Sequence, residues 1–392
     1  MNLNILFKVV FWRGVSALLS FFTVLLCIKN LSVDDFANYS SAFTIYTAFC
    51  LIPNLGINNF LVFENGNSDI EKKNYYIKIY YLIFIFFISF LCFFNLISNL
   101  YFYAIVTGIF GSMFDFNLVR YQAKKQFRKY AILMPLRTVV FFLSLLFVIY
   151  IEGREIIVEN IFKFSACIFS IYYLYFLKDK ISLDVFKFKE NIQIFNGARS
   201  FLIHEVCMLL MVRAEVWILT MYSAIGFSKS DLANYWAAFN FILIISILGN
   251  TLASIVLPYI QDESKDGMLK LEKMVKKVSL MMFGVLVLTV ILVYFISNYY
   301  FSKDYKELPY YVAVLGVGVL FGFLANIDRL KLIKFKNKFI DNMLIFQLMI
   351  SILLNFILIY FYGVWGAIIC YVFVRFLGFF SFKMFLRFNY GR

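Results

Sequence analysis

The stretch Asp35-Phe36-Ala37-Asn38-Tyr39-Ser40-Ser41-Ala42-Phe43 returns later in the chain as Asp231-Leu232-Ala233-Asn234-Tyr235-Trp236-Ala237-Ala238-Phe239. Six of the nine positions are identical, and the separation of 196 residues is half of the 392-residue chain. The same spacing pairs Ser32 with Ser228, Asn54 with Asn250 and Pro53 with Gly249, so a helix breaker precedes an asparagine in both halves. A match that keeps register without a gap from Ser32 to Asn54 marks an internal duplication.

Almost everything around these motifs is apolar. The chain is 63% hydrophobic, 21% aromatic and 15% charged, where soluble domains carry about 25% charged residues. Its apolar runs approach the roughly 20 residues that a bilayer-spanning helix needs. They predict spans near 5–28, 36–60, 77–97, 101–119, 130–150, 156–177, 198–221, 232–259, 278–298, 308–327, 340–361 and 364–386. Six fall in each half, and an even number makes the repeats parallel, related by an axis along the membrane normal. The expected fold is an all-α polytopic membrane protein of about 12 transmembrane helices in two parallel-repeat six-helix bundles. The bundles are expected at 1–177 and 197–392. The connecting segment 178–196 mixes Phe186, Phe188 and Ile192 with Lys187, Lys189 and Glu190. That pattern suits a cytoplasmic amphipathic linker on the membrane surface, and a plain linker equally.

Charge sets the orientation. Most Lys and Arg fall at the termini and in the even-numbered loops, densest at Arg120-Lys124-Lys125-Arg128-Lys129 and Arg329-Lys331-Lys334-Lys336-Lys338. Only Lys29, Arg154, Lys229, Lys303 and Lys306 fall in odd-numbered loops. The positive-inside rule then places both termini in the cytoplasm. The net charge of +14 follows from topology and contact with anionic membrane lipids, and nothing gathers it for nucleic acid. The first span is too long for a signal-peptide core and is expected to stay.

No phosphate-binding G-x-x-x-x-G-K-[ST] loop, G-x-S-x-G elbow or H-E-x-x-H helix is present. With one histidine, His204, neither a Ser-His nor a multi-histidine site can be assembled. Cys27, Cys50, Cys92, Cys167, Cys207 and Cys370 are scattered singly and form no metal or disulfide pattern. No enzyme, cofactor or metal is expected.

Ionisable groups inside a bilayer cost about 2.5–3.5 kcal/mol each, so they pair, reach the surface or face a cavity. At 100° per residue, Arg13, Ser16, Ser20 and Thr23 form one stripe on span 1, and Ser40, Thr44, Thr47 and Asn54 another on span 2. Ser and Thr alone read as interhelical glue. The arginine on the stripe points to a water-filled cavity. Span 7 carries Arg199, His204, Glu205, Arg213 and Glu215. Arg213 is deep enough to meet substrate or cavity water, or else a partner such as Glu205. His204 and Glu205 suit proton relay or a static pair, and Glu215 and Asp115 are further candidates for ion coupling. Asp115 and Arg137 read as a pair, as do Glu159 and Lys163, while Arg375 on span 12 has no obvious partner. Arg13, Arg213, Arg375, Ser16, Ser20, Asn54 and Asn250 are thus the expected cavity residues. Pro53 and Gly249 are the expected hinge, bending spans 2 and 8 at equivalent places. Gly318-Val319-Leu320-Phe321-Gly322 is a GxxxG pattern for close helix packing. Two embedded halves with paired breakers and buried cations suit a carrier.

These features resemble a known family. D-x-A-N-Y opens spans 2 and 8, and Gly363-Val364-Trp365-Gly366-Ala367 forms a short G-x-x-G-A turn between the last two spans. The chain resembles the polysaccharide flippases of the MOP superfamily, nearest in length and span number to O-antigen flippases of the Wzx type. Peptidoglycan-precursor flippases usually have two further spans. The resemblance implies translocation of undecaprenyl-diphosphate-linked oligosaccharide (O-antigen or capsule, hence lipopolysaccharide or polysaccharide biosynthesis) across the bacterial inner membrane by alternating access. It implies spans 1, 2, 7 and 8 as the cavity lining, and as partners the lipid-linked substrate, membrane lipids and the polymerase and chain-length machinery of the same pathway. The other readings are a multidrug or other lipid-linked sugar exporter of the same superfamily and a polysaccharide polymerase. A polymerase would resemble its family in carrying a large outer loop, and this chain has none. A facilitator-type sugar carrier would carry G-x-x-x-D-[RK] between spans 2 and 3, where this chain reads Glu64 to Lys73 without it.

Overall fold

Apolar runs cannot leave backbone polar groups unpaired in lipid, so they close their hydrogen bonds internally as helices. The computed structural model describes residues 3–54, 56–153, 156–177, 186–226, 228–256, 265–301, 303–333 and 339–390. Their α-helices are α1 (Leu3–Asn30), α2 (Val33–Leu51), α3 (Ile57–Phe63), α4 (Ser68–Phe93), α5 (Asn99–Ala123), α6 (Phe127–Leu133), α7 (Leu136–Glu152) and α8 (Val158–Leu177). After the short α9 (Phe188–Ile192) and α10 (Ile194–Gly197) come α11 (Arg199–Ala224), α12 (Lys229–Val256), α13 (Lys265–Tyr299), α14 (Leu308–Ile333), α15 (Phe339–Tyr362) and α16 (Val364–Tyr390). There is no strand among the described residues. Nine helical segments among them are long and apolar enough to cross a membrane, or ten if the broken pair α2–α3 is one span.

Local chemistry sets the helix ends. Ser32 caps α2: its Oγ receives the Asp35 N–H at 3.1 Å and donates to the Asp35 carboxylate at 2.6 Å. Asn67 caps α4 by accepting the Asp69 N–H at 2.9 Å. The repeat keeps its register in the structure, since α2 and α12 start at Val33 and Lys229, with Asp35 and Asp231 in their first turns.

Two boundaries differ from the hydropathy reading in ways that matter. Helix α4 starts at Ser68 rather than near 77, and α14 runs on to Ile333 rather than ending near 327. A hydropathy window stops at charged residues. Here Arg329 lies past the end of its expected span and Lys78 at the edge of its own, and the helices carry both inside, buried within the fold.

The chain divides into two compact units, one of Met1–Thr23 with Asn38–Val206 and one of Val24–Ala37 with Cys207–Arg392. Inside the first, α5 packs on α8, α4 and α3, and α7 packs on α8. Inside the second, α14 packs on α16, α13 and α12, and α15 packs on α16. Each of these contacts in one unit has its counterpart in the other, as a parallel duplication requires. Gly318 and Gly322 of α14 both face α16: a Cβ on Gly318 would come within 2.8 Å of the Tyr371 ring, and one on Gly322 within 3.3 Å of Arg375 Cδ. The GxxxG pattern therefore lets these two backbones approach. Of the linker, residues 178–185 lie outside the described residues. In the rest, Phe188 packs on Tyr80 of α4 at 4.9 Å between ring centroids, and Asn191 donates to the Tyr80 hydroxyl at 3.0 Å.

Candidate functional site

In the first unit the second span is interrupted. Helix α2 ends at Leu51, Ile52–Asn54 form a 3₁₀ turn, and α3 begins at Ile57. Pro53 supplies no N–H to continue the helix, and Gly56 has φ +71°, a left-handed conformation that favours glycine. A Cβ on Gly56 would also come within 2.5 Å of the Leu202 backbone nitrogen of α11.

Two charged side chains satisfy the groups that this break exposes. Lys78 of α4, fully buried, donates to the Pro53 carbonyl at 3.1 Å and to Asn54 Oδ1. Glu205 of α11 accepts the Gly56 N–H at 2.8 Å and the Asn59 amide at 2.6 Å. Asn54 also donates to the carbonyls of Cys50 and Ser112. The structure thus places Asn54 in the packed interior of the unit, bracing the break.

The stripe on α1 meets α6 and α7. Arg13 donates to the Tyr130 hydroxyl at 2.9 Å and approaches Met134 Sδ at 3.4 Å, and Ser16 shares a 2.8 Å hydrogen bond with Thr138. Ser20 lies partly buried on the same stripe. Asp115 and Arg137 pair, with Arg137 Nη1 at 3.0 Å from both carboxylate oxygens. Lys163 stands over the Tyr103 ring, 6.0 Å from its centroid.

The charges of α11 divide between the units. Arg199, His204 and Glu205 belong to the first, and Arg213 and Glu215 to the second. Arg213 stacks on aromatic faces, 5.6 Å from the Trp236 ring and 5.9 Å from Phe239. Glu215, 1% exposed, lies beside the Asn355 amide and within the fields of Arg375 and Arg213. Asn355 in turn donates to the Ser351 carbonyl at 2.9 Å.

The second unit holds a cavity of about 220 Å³. Arg375 of α16 and Arg329 of α14 line it, with Asn326, Gln347 and Ser246 as further polar groups and Phe239, Phe323 and Tyr371 as aromatic walls. No carboxylate is among its described lining residues. The Arg375 guanidinium lies over the Tyr371 ring at 5.3 Å and 4.0 Å from Met208 Sδ.

Gly249 also lines this cavity, but α12 passes through it as unbroken helix. A Cβ there would come within 2.6 Å of the Phe323 ring. The backbone break at Pro53 therefore has no equivalent at Gly249, because glycine keeps the N–H that proline lacks. The side chain of Asn250 lies outside the described residues. Lys78, Arg329, Gln347 and Asn59 were not singled out by the sequence as site residues. Lys78 and Arg329 look like interfacial basic residues until the helices are seen to extend past them.

No protein-family model matches the chain, and no curated protein matches it. Solved structures do. "Lipid II flippase MurJ, inward closed conformation" aligns with TM-score 0.66 at 15% identity, over 98% of this chain and 88% of that one. The MATE multidrug transporter DinF-BH aligns with TM-score 0.61 at 14% identity, over 98% and 94%. "Outward-facing conformation of a multidrug resistance MATE family transporter of the MOP superfamily" aligns with TM-score 0.57 at 13% identity, over 98% and 95%. The chain is a multi-pass membrane protein with the fold of MOP-superfamily transporters.

Proposed function

We propose that this protein is a flippase that moves undecaprenyl-diphosphate-linked oligosaccharide repeat units, of O-antigen or capsule, from the inner to the outer leaflet of the bacterial cytoplasmic membrane by alternating access. Both termini lie in the cytoplasm in this reading. The observation that carries it is the cavity of the second unit, lined by two arginines and aromatic rings, with no carboxylate among its described lining residues. Guanidinium groups hold the diphosphate by paired charge-assisted hydrogen bonds. The lipid tail stays in the bilayer. A drug exporter for organic cations would place carboxylates on such a wall instead. The fold shared with a lipid II flippase supports a lipid-linked cargo.

Arg13, Arg213, Arg375, Ser16, Ser20 and Asn250 are proposed to contribute to the translocation path, while Asn54 braces the broken second span. Glu205 and Glu215 are the groups proposed to couple an ion gradient, with His204 beside Glu205. Asp115 is tied to Arg137 and is the weaker candidate. The test is deletion of the gene and complementation. Single repeat units linked to undecaprenyl diphosphate should accumulate on the cytoplasmic side and surface polysaccharide should vanish, both restored by the intact gene and not by Arg375→Ala. Normal surface polysaccharide in the deletion strain would overturn the assignment. Single units on the outer face that stay unpolymerised would point to a polymerase.

A further inference from the structure

We propose that Arg329, Arg375 and Gln347 form an oxyanion site in the cavity of the second unit, taking a phosphate or diphosphate group. The site deepens the flippase reading and rests on it only for the source of the anion.

Among the described residues that line the cavity, the charges do not balance. Arg329 is 8% exposed, and the charged group that acts on it is Arg375, of the same sign. Glu215, which is not among the described lining residues, lies within the field of Arg375. Two guanidiniums and no carboxylate among the described lining residues favour a bound counter-charge, since an uncompensated buried charge is strongly unfavourable inside a membrane protein. A bound anion would supply the missing charge.

Unused donors point the same way. Arg329 Nη2 donates to Asn326 Oδ1, which fixes the guanidinium, while its Nε is buried and makes no hydrogen bond. Gln347, 4% exposed, has a buried Nε2 that makes none either. Buried polar groups are nearly always paired, so such orphans call for a ligand or water. Both side chains line the cavity that Arg375 lines.

Glycines make room for these donors. A Cβ on Gly378 would come within 2.9 Å of Gln347 Nε2, and one on Gly322 within 3.3 Å of Arg375 Cδ. The cavity, about 220 Å³, falls below the roughly 300 Å³ at which pockets begin to hold drug-sized molecules. It suits a head group and not an oligosaccharide. Two planar guanidinium forks with an amide N–H offer more donors than the two oxygens of a carboxylate accept, and a phosphate or diphosphate uses them.

The test uses the full-length protein in zwitterionic nanodiscs. One arm is calorimetric titration with inorganic pyrophosphate, and the other is the thermal shift produced by undecaprenyl diphosphate placed in the bilayer. The wild type should bind in at least one arm. Arg329→Gln and Arg375→Gln should each weaken binding by roughly 10- to 100-fold, the range for losing a hydrogen bond to a charged group, while Lys189→Gln on exposed α9 should not change it. Arg329→Lys, which keeps the charge and loses the fork, should weaken it less and guards against a glutamine variant that fails to fold. Binding in the pyrophosphate arm supports a free phosphate as ligand, and binding in the lipid arm alone supports a head group. No binding in either arm, or equal binding by the wild type and all folded variants, overturns the site. Export is scored separately. An Arg329→Gln protein that loses anion binding yet sustains normal surface polysaccharide leaves the site standing and removes it from the substrate path.

Discussion

The carboxylate of Asp231 lies against Gly363, immediately before the first residue of α16. Its Oδ2 sits 2.5 Å from where a Cβ on Gly363 would be. The D-x-A-N-Y motif and the G-x-x-G-A turn thus meet, with an acid at the start of α12 lying at the N-terminus of α16, where it complements the partial positive charge. Gly363 has φ +53° and leaves the space that the acid occupies. The first unit does the same with a local residue, since Glu152 accepts the Ile157 N–H at 2.6 Å beside the start of α8.

Gly363→Ala combines a left-handed backbone with a clash against Asp231 and should cost about 1–3 kcal/mol. Asp231→Asn keeps an acceptor and loses the charge, and should cost about 0.3–1 kcal/mol. Thermal unfolding of the purified protein in detergent checks the order. Equal stability of Gly363→Ala and wild type would show that the turn is not under this constraint.

Lys78→Met removes the charge but leaves the Pro53 carbonyl and Asn54 Oδ1 without their donor. Each buried orphan costs about 1–3 kcal/mol, so the melting temperature should fall. Hydrogen exchange should rise at α3 more than at α8. Unchanged exchange over residues 57–63 would mean that Lys78 does not hold the break.

Glu205→Gln still offers a carbonyl oxygen to Gly56 or Asn59, whereas Glu205→Ala strands both donors. The alanine variant should be the less stable by about 1–3 kcal/mol. If Glu205 also couples an ion gradient, Glu205→Gln should fold and reach the membrane at normal level but lose the dependence of export on the gradient. A glutamine variant whose export still follows the gradient would remove Glu205 from coupling.

Asp115→Asn and Arg137→Gln should each destabilise by up to about 3 kcal/mol, because each leaves a half-buried charge unpaired inside a membrane-embedded unit. The double variant should cost less than the sum, with a coupling of about 0.5–3 kcal/mol. A coupling of zero in the double-mutant cycle would mean that the pair contributes no mutual stabilisation.

Much of the architecture was legible from one repeated nonapeptide and the lengths of the apolar runs. A bilayer imposes helices of fixed length, and duplication imposes the same packing twice. The pairing of Asp115 with Arg137 and the close packing at Gly318 were legible too, because charge cost and residue size act locally. Lys78 and Arg329 were not, since hydropathy assigns lysine and arginine near a span end to water, and only packing shows them enclosed.

The sequence by itself determined the membrane class, the two halves and their register, because composition and periodicity act on each helix separately. Only the tertiary structure decided that Lys78 and Glu205 brace the broken second span, that α12 stays unbroken at Gly249, and that Arg329, Arg375 and Gln347 converge on one cavity. Those outcomes depend on which distant helices meet, and the sequence pattern of a single helix carries no information about its neighbour.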